Sequence, residues 1–500
     1  MKNGTLLAAV DLGSNSFRLE ICRYSHGLIQ RAEYIKEAVR QGSGLDEDRN
    51  LSKEAMERGW ECLARFAERL AGFKASEVRA VATQTLREAK NRQVFLSKAN
   101  QLLGFPIEVV SGREEARLIY QGVSHFLPQT DERRLVIDIG GRSTEFILGV
   151  KQDASKLESY RLGSVSSSLK YFADGTFTQA AFHKAEVAAK AVLEEAVDIF
   201  PREAWDTAFG SSGTVSAVAE VLGSAGWSDK TITLESLDWL KRHLIRVGHV
   251  DSLRMEGLKD DRRAVIGGGL AVLHAVLELF KIDALQVTPG ALRHGLLYDL
   301  IEREDETNDI RSVTVAGLQK AFQVDIEQAK RVSKVACHFL DQLETNKPSG
   351  QDWPRLTKKL DWAAQLHEIG AQISHTDSHK HSAYILDNTD APGFALHELH
   401  RLSLLVLGHK GKLRKLDVDF TNEGFACQLL CLRLAVILCH ARREPDYKKL
   451  QLRISEKQTN RFELLMEPLW SQRFPQSQHL LQQEIVAWQK TSWELQIKPA

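Results

Sequence analysis

Short, continuous apolar runs that end in Asp-x-Gly set the rhythm of the first half of this chain. Leu6-Leu7-Ala8-Ala9-Val10 reads as a buried strand and runs into Asp11-Leu12-Gly13-Ser14-Asn15-Ser16. Leu135-Val136-Ile137 reads the same way and ends in Asp138-Ile139-Gly140-Gly141-Arg142-Ser143-Thr144-Glu145. After each turn, Phe17-Arg18-Leu19-Glu20-Ile21 and Phe146-Ile147-Leu148-Gly149-Val150 resume strand patterning. Strand, Asp-x-Gly turn, strand is thus used twice, which predicts two similar α/β lobes facing each other across a cleft.

Between and beyond these units, strands alternate with amphipathic helices. A helix is predicted over Ser52 to Leu70, with Ser52 as its N-cap. Strands at Val78–Ala82 and Ile107–Val110 lead into Thr83–Arg87 and Ser111–Arg117, and Thr207-Ala208-Phe209 leads into Gly210-Ser211-Ser212-Gly213-Thr214. Such alternation places functional loops at strand ends. The longest apolar run, Ala264 to Phe280, carries glycines, His274 and Glu278, so it reads as a buried helix and not as a membrane span. The polar run Glu302 to Arg311 reads as a boundary. Past it the pattern is helical to about Arg443, broken by a loop from Glu344 to Pro354. A tail with Leu452, Ile454, Phe462, Leu464, Trp493, Leu495 and Ile497 alternates again. The expected domains are 1–123, 124–303, 312–445 and 446–500.

Composition narrows the class. A chain of 500 residues exceeds one ordinary core, and 43% hydrophobic with 26% charged residues describes a compact globular protein. Lys+Arg and Asp+Glu balance at 66 each, which argues against a general nucleic-acid binder. A highly anionic ligand would have to be met by local basic surface or by a metal. The start of the chain does not read as a secretory signal, and the six cysteines lack paired CxxC spacing. Three of them, Cys427, Cys431 and Cys439, fall on one leucine-rich helix and read as core. The expectation is a reduced, cytoplasmic protein with no integral membrane segment.

Two opposed glycine turns are suited to phosphate. Glycines admit an anion to the backbone, and successive N–H groups form a concavity for it. Ser14, Asn15, Ser16, Gly140, Gly141, Ser143 and Thr144 would supply donors, while Asp11, Asp138 and Glu145 could hold Mg²⁺ through oxygen ligands and water.

At this point the sequence resembles the exopolyphosphatase/guanosine pentaphosphate phosphatase (Ppx/GppA) family of the actin-like superfamily. The resemblance rests on AAVDLGSNSFRL (8–19), ERGWECLARFAERL (57–70), VATQTLREA (81–89), SGREEARLIYQGV (111–123), VIDIGGRSTE (136–145), GSSGT (210–214), PGALRHGLLY (289–298) and HKHSAYIL (379–386). It implies an α/β fold of two actin-like (ribonuclease H-like) lobes, then a helical HD-like domain and a small α+β C-terminal domain. It implies that Glu115 is the catalytic base, Arg87 a cleft arginine near the scissile phosphate, and Gly213 part of a third glycine loop. Read chemically, Glu115 follows a strand and Gly112 and is suited to deprotonate a water in line with a terminal phosphorus. The expected cofactor is Mg²⁺, with K⁺ stimulation left open.

One position departs from the family pattern. The second loop commonly reads DIGGGSTE or DIGGASTE, whereas here residue 142 is arginine. Arg142 either points away from the site or adds a cation beside the phosphate; the second is the expectation. In the helical region, Gln365-Leu366-His367-Glu368 stands where a metal-binding HD motif would have His-Asp, so metal binding there is not expected. His379, Lys380 and His381, with Lys410, Lys412, Arg414 and Lys415, are read instead as a positive polyphosphate channel. The leading function is an exopolyphosphatase that releases orthophosphate from inorganic polyphosphate. The alternative is a phosphatase of guanosine 5′-triphosphate 3′-diphosphate (pppGpp), and a different class is a catalytically silent sensor. The resemblance implies a homodimer; peripheral membrane association stays open.

Overall fold

A computed structural model describes the chain except for residues 304–308, 347–351, 456, 457, 459 and 500. It divides into two compact units, Met1–Asp309 and Ile310–Ala500. Part of the expected boundary run Glu302–Arg311 and the middle of the expected loop Glu344–Pro354 lie outside the described residues.

In the first unit, β1 (Leu6–Leu12), β2 (Phe17–Ser25), β3 (Leu28–Glu37), β4 (Val78–Ala82) and β5 (Ile107–Val109) form one sheet in the order β3-β2-β1-β4-β5. The strands β6 (Arg133–Ile139), β7 (Thr144–Val150), β8 (Asp153–Tyr160), β9 (Thr207–Ser211), β10 (Thr231–Ile232) and β11 (Leu285–Val287) form the other, in the order β10-β11-β9-β6-β7-β8. Each sheet opens with an antiparallel three-strand meander and continues with parallel strands. The second sheet therefore repeats the first and adds β10 at its edge. This duplicated ribonuclease H-like order is the architecture of the actin-like fold, as expected. Helices cover both faces of the central strands, which is why β1 is apolar without alternation from Leu7 to Val10.

The two glycine turns are equivalent in detail. Leu12 pairs with Phe17 and Ile139 pairs with Thr144, so each turn lies between strands in matching register. A Cβ on Gly13 would stand 3.0 Å from the Ser16 carbonyl, and one on Gly140 would stand 3.1 Å from that of Ser143. Glycine at the first turn position is thus what lets each hairpin close on itself. The helix at Lys53–Arg69 forms as expected, with the Ser52 hydroxyl accepting from the Ala55 N–H. The glycine-rich apolar run is a buried helix, Ile266–Leu279, and Gly268 lies against the backbone of Ser164 and Ser168.

The second unit carries the helices Ile310–Ala321, Ile326–Asn346, Trp353–Leu366, Ser378–Asn388, Leu396–Gly408 and Glu423–Leu438. A sheet of β12 (Leu450–Ile454), β13 (Arg461–Met466) and β14 (Glu494–Pro499) follows, with the helix Pro475–Trp488 between β13 and β14. One hydrophobic core runs through both parts, from Val315 to Leu495. Buried Arg433 ties them together by a bidentate pair with Glu484, at 2.5 and 2.7 Å. The six cysteines are free, and Cys427, Cys431 and Cys439 pack in that core. No helix among the described residues is long and apolar enough to cross a membrane.

Candidate active site

The strand ends β1 and β6 bring the two glycine turns to a cleft of about 530 Å³ within the first unit. Asp11, Ser14, Asn15, Ser16, Glu115, Asp138, Gly140, Gly141, Ser143 and Gly213 line it. The structure therefore gathers side chains that are far apart in sequence. Thr144 and Glu145 lie just behind the lining: the Thr144 hydroxyl donates to the Leu162 carbonyl, and Ser159 donates to Glu145 Oε1 at 2.7 Å. Glu145 Oε2 is buried with no hydrogen-bond partner among the described residues.

Glu115 sits in the first turn of the helix Gly112–Ser124. Ser111 caps that helix by accepting from the Glu114 N–H at 3.1 Å, so the chain direction and the helix end fix where Glu115 points. Two nitrogens of Arg87 donate to Glu115 Oε2 at 3.2 Å, and Arg87 Nη1 also donates to the Val110 carbonyl at 2.6 Å. Burial pushes the Glu115 carboxyl up to about 7; Arg87 opposes this, and Asp138 and Asp11 add to it. Burial likewise raises Asp138 to about 6, against a hydrogen bond from Ser211. Glu145 is raised well above the usual range by burial and by Glu115 and Asp138. Asp11 is held by Arg18 at 2.7 Å. The chemistry on offer is a carboxylate near neutrality, flanked by an arginine and by backbone turns suited to phosphate.

The cleft is also cationic in a way the sequence reading missed. Arg18, Arg31, Lys36, Lys259, Arg262 and Arg293 all line it. They come from β2, β3, the segment before the buried helix, and the first turn of the helix Leu292–Arg303. Glu20 organises part of this wall: it accepts from Arg31 at 2.8 Å and from Arg293. Against burial, its carboxyl is held down to about 2 by His294 first, then by the charge of Arg293 and the Arg31 hydrogen bond. Tyr34 lies between the same arginines, each guanidinium 5.2 Å from its ring. Arg262 packs against Gly213, whose missing side chain makes room for it. The available signals were Arg18 and Arg293 inside recognised motifs; Arg31 and Lys36 sit on an edge strand whose exposure hides its period.

Arg142 corrects an expectation. It does not line the cleft; its guanidinium pairs with Glu88 at 3.2 Å and donates to the Gly42 carbonyl at 3.0 Å. Both partners belong to the first lobe, so a carboxylate already takes up the charge expected beside phosphate.

Residues 21–304 match the model of the Ppx/GppA phosphatase family, and residues 310–485 match that of Ppx/GppA phosphatase, domain III. The chain belongs to the Ppx/GppA phosphatase family. A crystallised exopolyphosphatase-like protein is 26% identical and superposes with a TM-score of 0.54, over 60% of this chain and 100% of its own. The Ppx/GppA family member from Aquifex aeolicus is 24% identical, with a TM-score of 0.52 over 60% of this chain and 99% of that one. An exopolyphosphatase from Cytophaga hutchinsonii is 24% identical, with a TM-score of 0.53 over 60% and 98%. The last two share the fold.

Within this family member, the charge of the cleft suits a divalent cation more than the side-chain geometry does. Among the described residues no group of three His, Cys, Asp or Glu side chains is arranged to hold a metal ion by itself. Asp138, Glu145 and Glu115 nevertheless form a cluster of three buried carboxyls, all pushed toward the neutral form, and Glu145 Oε2 has no hydrogen-bond partner among the described residues. They fit a hard cation whose shell is completed by phosphate and water; Asp11 is already neutralised by Arg18.

In the second unit, the His379 and His409 rings meet edge-on at 6.3 Å, and His409 meets His367 at 5.2 Å. His367 and His409 are buried, and their Nδ1 atoms donate to the Ala364 and Val406 carbonyls. Lys380 pairs with Asp377 at 2.8 Å. Lys410, Lys412, Arg414 and Lys415 lie on the exposed stretch after the helix Leu396–Gly408.

Proposed function

We propose that this Ppx/GppA phosphatase is an exopolyphosphatase, which removes terminal orthophosphate from inorganic polyphosphate by direct attack of water. The observation that carries the reading is Glu115: a buried carboxyl, raised to about 7, standing in the cleft between the two glycine turns. In this reading the turn amides around Gly13 and Gly140, with Ser14, Asn15 and Ser143, grip the terminal phosphoryl group. Glu115 takes a proton from the attacking water, and Arg87 holds that carboxylate in line. Charge that builds on the phosphoryl oxygens faces the backbone N–H groups of the two turns, while Arg87, outside the cleft lining, acts on it only through Glu115. Asp138 and Glu145 are the residues that would hold Mg²⁺, which would supply charge neutralisation on the phosphates. The wall of Arg18, Arg31, Lys36, Lys259, Arg262 and Arg293 would carry the rest of a long polyanion. The likeness to an exopolyphosphatase-like protein supports the same assignment.

A second reading, pppGpp 5′-phosphatase, has its own support. Asn15 also lines an adjoining recess of about 300 Å³ with apolar walls from Val165, Leu169, Phe172, Phe177 and Val250. Polyphosphate has no use for such a surface, whereas a nucleoside does. The deciding experiment is orthophosphate release from long-chain polyphosphate and from pppGpp, each with Mg²⁺ and with chelator. Faster turnover of polyphosphate sustains the proposal, the reverse order favours the nucleotide, and release from neither would point to a sensor.

A further inference from the structure

The residue that departs from the family pattern stands at one end of a hydrogen-bonded chain whose other end is Glu115. Arg142 lies in the second glycine turn, on the second lobe, and its Nε and Nη2 donate to Glu88 Oε2 at 3.3 and 3.2 Å. The other Glu88 oxygen accepts from Gln84 Nε2 at 2.6 Å. That bond fixes which way the Gln84 amide faces, because its nitrogen is committed to Glu88. Gln84 Oε1 is consequently turned toward Arg87, from which it accepts through Nε at 2.9 Å and through Nη2. Arg87 then presents Nη1 and Nη2 to Glu115 Oε2, each at 3.2 Å.

A second branch reaches the first glycine turn. Arg142 Nη1 donates to the Gly42 carbonyl at 3.0 Å, and the Gly42 N–H donates to the Ser14 carbonyl at 2.7 Å. The neighbouring Arg40 N–H donates to the Asn15 carbonyl at 2.8 Å. One guanidinium is therefore tied, through a single intermediary on one side and a pair of them on the other, to both the phosphate turns and the arginine on the candidate base. Its links run to charged or fixed partners that are largely buried: the side chains of Arg142, Glu88, Arg87 and Glu115 are 19%, 11%, 16% and 9% exposed. A chain of committed donors and acceptors in such surroundings transmits orientation, since turning one member leaves another unpaired.

We propose that Arg142 is a positioning residue, a strut between the lobes that sets the spacing of the two glycine turns and, through Glu88, Gln84 and Arg87, the aim of Glu115. Arg142 itself does not touch the phosphate. The inference rests on the hydrolytic reading above, and its test separates the two. Orthophosphate release by the wild-type enzyme is measured first; its absence counts against the hydrolytic reading alone. With an active wild type, Arg142→Gly and Glu88→Gln each lower kcat about 10- to 100-fold while KM stays within about threefold, the scale of effect seen when outer-shell partners are lost. The double variant is no worse than the poorer single one, because both cut the same chain. Arg142→Lys, which keeps one donor, falls between.

A direct phosphate contact would behave otherwise: Arg142→Gly would raise KM at unchanged kcat, and Glu88→Gln would leave KM unchanged or lower it. Additive losses in the double variant would also overturn the strut. A further readout does not need turnover: amide hydrogen exchange in 84–88 and 112–116 should quicken several-fold in Arg142→Gly at unchanged global stability. Unchanged exchange in both segments would overturn the proposal even if the enzyme proved silent.

Discussion

Removing the charge of Glu115 should stabilise the fold while it disables the site. In the unliganded protein the Glu115 carboxyl is raised to about 7 by burial and by Asp138 and Asp11, so ionising it in the folded state costs free energy. A carboxyl raised in this way favours the folded state fully below its unfolded value near 4.5, and that contribution is lost as pH rises through about 7. The loss amounts to about 3 kcal/mol at pH 8, at roughly 1.4 kcal/mol for each pH unit of displacement. Glu115→Gln keeps the shape and an oxygen that can accept from Arg87, but has no charge to bury. The variant should therefore match the wild type near pH 4.5 and exceed it by about 3 kcal/mol at pH 8, or about 5 °C in Tm for a unit of this size. Thermal and urea unfolding in the presence of chelator, from pH 4.5 to 8.5, measures this directly. Adding Mg²⁺ should narrow the gap, since a cation beside Asp138 and Glu145 offsets the same repulsion. A difference that does not grow with pH, or a variant less stable than the wild type at pH 8, would refute the electrostatic reasoning.

Other outcomes follow from the same geometry. Because Arg87 holds the Glu115 carboxyl down, Arg87→Met should lower kcat and move the acid limb of kcat/KM, near pH 7 without excess cation, to higher pH; a pH–rate profile checks both. Gly213→Ala places a methyl group against the Arg262 guanidinium and should raise KM for polyphosphate several-fold with kcat within about twofold. Replacing Arg31 and Lys259 together by alanine should weaken long polyphosphate more than short chains and flatten the dependence of KM on salt, both readable from initial rates.

Much of the fold was legible because its determinants are local. Apolar runs closed by Asp-x-Gly announce β1 and β6, and a serine before an amphipathic stretch announces the helix after Ser52. Glu115 was singled out through the family resemblance of its motif; the structure adds that it stands in the first turn of a helix capped by Ser111 and lines the cleft. The cationic wall was not, because it is a product of topology. Arg31 and Lys36 lie on β3, an edge strand exposed along much of its length, and Lys259, Arg262 and Arg293 join them only when the second lobe is in place. Arg142 was misjudged because its partner, Glu88, is 54 residues away on the opposite lobe. A cation beside phosphate-binding turns suggests phosphate; only the three-dimensional structure shows that a carboxylate had already claimed it.

The most direct test of the account is the initial rate of orthophosphate release from long-chain polyphosphate with saturating Mg²⁺, for the wild type and for Glu115→Gln at matched folded fractions. A drop in kcat of at least about 100-fold with KM little changed is the outcome expected of a general base. A variant that keeps more than about a tenth of the wild-type kcat would contradict a general-base role for Glu115.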